Sequence, residues 1–158
     1  MCKVIAICNQ KGGVSKTTTT VNLGVGMVRE GKRVLVIDAD PQGNLSQSLG
    51  IENPDELEIA LPTIMEQIIM DEEFDVSEGI IHHVEGIDLM TCNIDLSGVD
   101  VSLVNAMSRE FVLKTYVDCM REYYDYILID CMPSLGMITV NALTASDSVL
   151  IPVQAAYL

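Results

Sequence analysis

Residues 9–18 of this chain read Asn9-Gln10-Lys11-Gly12-Gly13-Val14-Ser15-Lys16-Thr17-Thr18. An apolar run at residues 4–8 precedes this segment, and residues with helical spacing follow it. The order of strand, glycine loop and helix is typical of a phosphate-binding loop. Glycines let backbone N–H groups approach phosphate oxygens closely, and the start of the following helix directs its unpaired N–H groups and its positive dipole end at the same anion.

The loop therefore predicts an anion site with distinct roles for its side chains. Lys16 would place a positive charge beside the phosphates, and the Thr17 hydroxyl would ligate Mg²⁺. The residues expected to contact the bound group are Lys11, Gly12, Gly13, Val14, Ser15, Lys16, Thr17 and Thr18. The strict pattern G-x-x-x-x-G-K-[ST] has glycine where this chain has Gln10 and Ser15, and a glycine-rich turn without a ligand is the structural alternative. A serine at position 15 costs about 1 kcal/mol if the backbone there needs a positive φ.

Composition limits the class of protein. The 158 residues predict a single globular domain over residues 1–158, with 49% hydrophobic and 20% charged residues. No apolar run reaches membrane-spanning length, and the five cysteines have no zinc-binding spacing, so we expect a cytoplasmic protein with reduced thiols and no membrane contact. The net charge of −14 disfavours direct binding of nucleic acid by this chain.

Strand and helix patterns alternate along the chain, which predicts a doubly wound, mostly parallel α/β sheet. A stripe of Val21, Val25 and Val28 is expected to face the core from the first helix. Residues 45–62 are predicted to be irregular, and residues 96–124 to form one or two helices broken near Ser108. The five predicted strands cover residues 3–8, 33–38, 86–91, 126–130 and 148–152, and the other predicted helices cover 16–30, 63–70 and 136–145.

Carboxylates follow two of these strands. Asp38 and Asp130 each end an apolar run, and Asp40 comes two residues after Asp38. Ligands of open parallel sheets bind beyond the carboxyl ends of the strands, where the glycine loop also lies. We therefore expect Asp130 to help Thr17 hold Mg²⁺, whereas Asp38 either supports the loop or simply ends its strand. A metal-binding role for Asp40 is implied only by a family resemblance described below.

The loop resembles the deviant Walker A motif of the ParA/MinD family of ATPases, with the signature lysine at Lys11. Residues 38–43 resemble the first switch motif of that family, and residues 130–136 resemble the second, with Met132 where proline is usual. Pro41-Gln42-Gly43-Asn44 favours the ParA branch. Family members continue beyond the last residue of this chain, so the resemblance implies a P-loop NTPase sheet that is incomplete at its C-terminus and lacks the basic DNA-binding surface.

The resemblance implies a slow, partner-stimulated ATP hydrolase that binds ATP and Mg²⁺ and acts in plasmid or chromosome partitioning. Two subunits would sandwich two nucleotides, with Lys11 reaching the phosphate of the partner, Lys16 contacting the subunit's own phosphates, and Asp40 helping to position the attacking water and Mg²⁺. A ParB-type protein would stimulate hydrolysis, and nonspecific DNA would bind full-length relatives.

Two alternatives remain open from the sequence. The chain could be a non-catalytic nucleotide-binding or regulatory module that binds without turnover. It could also be an electron-transfer ATPase that resembles the nitrogenase iron protein. Such a protein needs cysteines that share an iron–sulfur cluster across a dimer, and Cys92 and Cys131 are the only conceivable pair.

Overall fold

The computed structural model describes residues 1–155. Six strands and six α-helices lie in these residues, with 3₁₀ turns at Pro54–Glu56 and Arg109–Phe111. The strands are β1 (Lys3–Ile7), β2 (Val34–Ala39), β3 (Ile80–His82), β4 (Asp88–Met90), β5 (Tyr126–Cys131) and β6 (Ser148–Leu150). The helices are α1 (Lys16–Arg29), α2 (Asn44–Ser48), α3 (Leu61–Ile69), α4 (Leu96–Leu103), α5 (Val112–Met120) and α6 (Met137–Ala145).

The strands form one sheet in the order β3-β4-β2-β5-β1-β6. All neighbouring pairs are parallel except β3 and β4 at one edge. The register of β2 against β5 sets Asp38 opposite Asp130, and β1 lies on the other side of β5 with Ile7 opposite Asp130. The predicted doubly wound, mostly parallel α/β fold is confirmed, and its central strands end together where the glycine loop begins.

Each central strand contributes to two hydrophobic cores, one on either face of the sheet. Leu35 and Ile37 belong to the core beneath α3 to α6, whereas Val34 and Val36 belong to the core beneath α1 and α2. Successive side chains of a strand point to opposite faces, and helices cover both faces. These strands are therefore continuously apolar in sequence, which explains why they could be predicted.

The expected stripe on α1 packs against the core as predicted, but it is not the most deeply buried line of the helix. The buried residues of this helix are Lys16, Thr20 and Gly24, whereas the three valines are only partly buried. A Cβ added to Gly24 would lie 3.2 Å from Val36 Cγ1. The helix thus packs close to the sheet along its small residues, and Val21, Val25 and Val28 lie along the sides of this contact.

Some local features differ from the expectation, and one agrees with it. Residues 45–62 are not wholly irregular, because α2 begins at Asn44, and Pro62 lies in the first turn of α3 rather than before it. The edge strand β3 is too short for its periodicity to be recognised. The predicted break near Ser108 is confirmed, since that residue has a φ of 51° between α4 and α5.

None of the helices within residues 1–155 combines the length and the apolar character that crossing a membrane requires.

Candidate functional site

The glycine loop lies between β1 and α1 and has two residues in the left-handed region. Gly13 has a φ of 71° and Ser15 a φ of 67°. A Cβ added to Gly12 or Gly13 would meet no atom within 4 Å, so the space beside both glycines is open. The carbonyl of Ser15 accepts hydrogen bonds from the N–H of Thr19 (2.9 Å) and from its hydroxyl (2.7 Å), which fixes the start of α1. The loop therefore has the shape of an anion cradle at a helix N-terminus.

The two loop lysines differ in their surroundings. Lys16 is 8% exposed, and its Nζ donates to the carbonyl of Lys11 at 3.3 Å, which holds the ammonium inside the loop. Lys11 is exposed, although its N–H donates to Asn9 Oδ1 at 2.9 Å. The backbone at Lys11 is thus fixed while its side chain extends into solvent. One ammonium is directed into the cradle, and the other is available to a group outside it.

Asp130 joins the end of β5 to the first turn of α1. Its Oδ2 accepts a hydrogen bond from the Thr17 hydroxyl at 2.6 Å, and its Oδ1 accepts one from the Thr20 hydroxyl at 3.2 Å. Burial raises the pKa of Asp130 to about 6, although the two hydroxyls and nearby Lys16 act in the opposite direction. Thr20 was not predicted; its position one turn after Lys16 is the sequence signal that could have indicated it.

Asp38 and Asp40 have different environments despite their proximity in sequence. Asp38 is fully buried, and its Oδ2 accepts hydrogen bonds from the N–H (2.9 Å) and hydroxyl (2.8 Å) of Ser46 in α2. Burial raises the pKa of Asp38 to about 7. Asp40 is half-buried, and its Oδ1 accepts the N–H of Gln42 at 3.0 Å. Asp38 therefore supports the chain after β2, whereas Asp40 remains accessible at the edge of the cradle.

The structure thus brings the loop, Asp40 and Asp130 to the same edge of the sheet. Within residues 1–155, no group of three or more His, Cys, Asp or Glu side chains could hold a metal ion by itself. Mg²⁺ is commonly held by one or two carboxylates together with substrate phosphates. The donor set of the Thr17 hydroxyl, Asp130 and Asp40 fits a magnesium site completed by phosphate oxygens.

Two side-chain amides that were not predicted connect the loop to the segment after β6. Asn9 Nδ2 donates to the carbonyl of Pro152 at 2.8 Å, and Gln154 Nε2 donates to the carbonyl of Gly13 at 3.0 Å. These contacts join residues more than a hundred positions apart, so no local sequence pattern indicates them. They hold the outer side of the loop in place.

The positions of Cys92 and Cys131 do not fit an iron–sulfur cluster shared between two subunits, which needs cysteines at the surface where the subunits meet. Cys92 is completely buried and Cys131 is 2% exposed, which places neither thiol at a surface between subunits. The Sγ atoms of Cys8 and Cys131 lie 2.7 Å apart. The hydrogen bond between them lowers the pKa of Cys8, whereas that bond and burial raise the pKa of Cys131.

Comparison with known sequences agrees with this geometry. A family model described as an AAA domain matches residues 2–158. The sporulation initiation inhibitor protein Soj of Bacillus subtilis is 50% identical over 161 residues, which cover 99% of this chain and 60% of Soj. The chromosome partitioning protein ParA of Caulobacter vibrioides is 42% identical over 157 residues, which cover 98% of this chain and 57% of that protein. The chain thus spans less than two thirds of the length of either relative.

Solved structures with the same fold contain nucleotides. A cobyrinic acid a,c-diamide synthase from Mycobacterium smegmatis, with bound ATP analogue and magnesium, superimposes with a TM-score of 0.93 at 38% identity and covers 99% of this chain and 62% of that one. A putative plasmid partition protein from Borrelia burgdorferi bound to AMPPNP superimposes with a TM-score of 0.79 at 30% identity, over 96% of this chain and 61% of that one. On its sequence and its fold, the chain belongs to the family described as AAA domains and is of the ParA type within it.

Proposed function

We propose that this chain binds ATP and Mg²⁺ as one domain and works as a dimerisation switch with slow ATP hydrolysis in plasmid or chromosome partitioning. The observation that carries the proposal is the arrangement of Lys16, Thr17 and Asp130. The Lys16 ammonium is held inside an open glycine loop, and the Thr17 hydroxyl is already 2.6 Å from the Asp130 carboxylate. A phosphate in the loop would meet the ammonium and the helix N-terminus together.

Magnesium would bind with the nucleotide rather than before it. Thr17 donates its proton to Asp130, which leaves the lone pairs of the hydroxyl oxygen available to a cation. Asp130 and Asp40 supply two carboxylates, and the phosphates would supply further oxygens. The metal, once bound with ATP, would neutralise phosphate charge during phosphoryl transfer. Asp40 is half-buried and follows β2 at the same edge of the sheet as the loop, so we assign it the positioning of the attacking water.

Lys11 is the residue that we assign to the second subunit's nucleotide. Its backbone is held by Asn9 and by Lys16, whereas its side chain is exposed outside the cradle of its own subunit. A positive charge in that position stabilises negative charge that develops on a phosphate brought to it. ATP would thereby join two subunits, hydrolysis would release them, and a ParB-type partner would accelerate the release.

The decisive experiment compares oligomeric size with Mg²⁺ and either ATP or ADP. Sedimentation should give a dimer with ATP and a monomer with ADP. Lys11→Ala should still bind ATP but remain monomeric and lose hydrolysis. Lys32→Ala is the matched control, because it removes an exposed lysine beyond the far end of α1 and should behave as the parent chain.

Phosphate release measured beside binding tests the catalytic part separately. Slow release that depends on Lys11 supports the switch. Binding and dimerisation without any release would instead favour a non-catalytic nucleotide-binding module. Wild-type release by Lys11→Ala would contradict the assignment of this lysine to the partner's nucleotide.

A further inference from the structure

Cys8 and Cys131 form a dithiol directly beside the candidate nucleotide site. Cys8 follows β1 and Cys131 ends β5, and the parallel register that pairs Ile7 with Asp130 makes the two cysteines neighbours across the sheet. Their Sγ atoms are 2.7 Å apart. A disulfide has an S–S distance of about 2.05 Å, so the sulfurs need to approach by only about 0.7 Å. None of the roles assigned to the nucleotide site uses either thiol.

The pair is also accessible to a small oxidant from one side. Cys131 is buried, but Cys8 is half-buried and lines a groove of about 290 Å³ together with Asn9, Gln10 and residues of the second switch segment. A molecule of the size of hydrogen peroxide can enter such a groove and meet Cys8 there, whereas Cys131 is buried and does not line the groove. A partly accessible thiol with a second thiol next to it is the arrangement found in redox-sensing proteins.

We propose that Cys8 and Cys131 are a peroxide-sensitive dithiol whose disulfide weakens nucleotide binding. The Cys8 sulfur attacks one peroxide oxygen, the O–O bond breaks, and a sulfenic acid and one water result. The Cys131 sulfur then attacks the Cys8 sulfur, the S–S bond forms, and the hydroxyl leaves as a second water with the Cys131 proton. Two thiols lose two electrons in total and hydrogen peroxide gains two. A small dithiol reductant reverses the change by thiol–disulfide exchange.

The effect on nucleotide binding follows from the neighbours of the two cysteines. Asn9, which follows Cys8, holds the Lys11 N–H and the segment after β6. Asp130, which precedes Cys131, lies 2.6 Å from the Thr17 hydroxyl. The S–S bond would fix the side-chain torsions of both cysteines and pull on the backbone at both positions, and the loop and the carboxylate would then lose part of their alignment. This consequence rests on the proposed function, whereas the disulfide itself does not.

Tryptic mapping identifies the bond without ambiguity, because the five cysteines lie in five different tryptic peptides. Cys8 is in residues 4–11 and Cys131 in residues 122–158. After brief peroxide treatment and blocking of the remaining thiols, a non-reducing digest should contain these two peptides linked. Cys119→Ser, which removes an exposed cysteine on α5, should give the same link, and Cys8→Ser should give none. Absence of the link from the parent chain, or a different cysteine pair, overturns the proposal.

Calorimetric titration with AMPPNP and Mg²⁺ tests the consequence. Oxidation should weaken binding by about tenfold, the lower end of the effect of disturbing groups that orient a metal ligand. Dithiothreitol should restore binding, and Cys8→Ser should bind equally before and after peroxide. Unchanged affinity in the fully linked protein overturns the regulatory part. If the reduced chain binds no nucleotide, that result contradicts the proposed function instead. The disulfide forms without nucleotide, so in that case the peptide mapping still tests the dithiol proposal independently.

Discussion

Replacing Ser15 by glycine should stabilise the protein. Ser15 precedes α1 with a φ of 67° and a ψ of 32°, in the left-handed region, and its side chain makes no capping hydrogen bond. An L-residue in that region costs about 1–2 kcal/mol that glycine does not. The carbonyl of residue 15, which accepts two hydrogen bonds from Thr19, is retained in the variant. Ser15→Gly therefore removes strain without removing any of these hydrogen bonds.

The net effect is smaller than the strain itself. Glycine gives the unfolded chain more freedom, which opposes the gain by about 0.4–1 kcal/mol. The free energy of unfolding should then rise by about 0.5–1 kcal/mol, or about 2 °C in Tm for a chain of this size. The backbone at Ser15 is strained whether or not nucleotide is bound, so the strain cancels from the binding equilibrium. Affinity for AMPPNP and Mg²⁺ should stay within about twofold, less than 0.5 kcal/mol.

Urea unfolding followed by circular dichroism measures the stability, because the chain has no tryptophan for fluorescence. Ser108→Gly is a matched control: Ser108 is also an exposed serine with a positive φ, 51°, but it lies between α4 and α5. Both variants should gain stability to a similar extent. If Ser15→Gly loses stability while Ser108→Gly gains it, the serine side chain makes a favourable interaction in the loop and the strain argument fails there. If both lose stability, the argument fails altogether.

Two other perturbations have expected outcomes. Gly86→Ala should lower the free energy of unfolding by about 2 kcal/mol, because Gly86 has a φ of 84° and an added Cβ would lie 2.8 Å from Val28 Cγ1. The control Gly98→Ala in α4, where an added Cβ meets open space, should not destabilise the protein. Equal losses of stability for the two variants in urea unfolding would contradict this prediction. The raised pKa of Asp38, about 7 against 3.8 in the unfolded chain, means that the folded state binds more protons between these values. Without nucleotide or metal, the contribution of Asp38 to stability should therefore fall by about 2 kcal/mol from pH 5 to pH 8. Denaturation at several pH values should show a flatter dependence of stability on pH for Asp38→Asn. If the pH profiles of the variant and the parent chain are parallel, the buried carboxyl is not the source of the pH dependence.

The central sheet could be predicted because each of its main strands is buried on both faces. Residues 34–39 and 126–131 have no polar interruption until their aspartates. Such a continuous apolar run is typical of a strand that is buried on both faces, and few other structures fit it in a chain of this size. The short strand β3 could not be predicted, since three half-exposed residues carry no periodicity. Helix α2 escaped prediction because its stability comes from a distant group, the Asp38 carboxylate that binds Ser46.

The candidate site shows the same division between local pattern and long-range contact. The roles of Lys16 and Thr17 follow from a contiguous motif, and the Asp130 assignment follows from the rule that ligands bind at the carboxyl ends of strands. The buried line of α1 was missed because the core-facing side was predicted from the apolar valines alone, whereas the buried residues of the helix include a lysine and a threonine. Their burial becomes understandable only when the carboxylate of Asp130 and the carbonyl of Lys11 supply partners.

The amide contacts of Asn9 and Gln154 tie the movement of the loop to the edge of the sheet. Both contacts end on the segment after β6, a strand of only three residues at the sheet edge. Short edge segments open locally at lower free energy than the central strands do. Opening of the segment after β6 would release both contacts and with them the outer side of the loop. A molecule that lies along this edge therefore stiffens the phosphate loop without touching it.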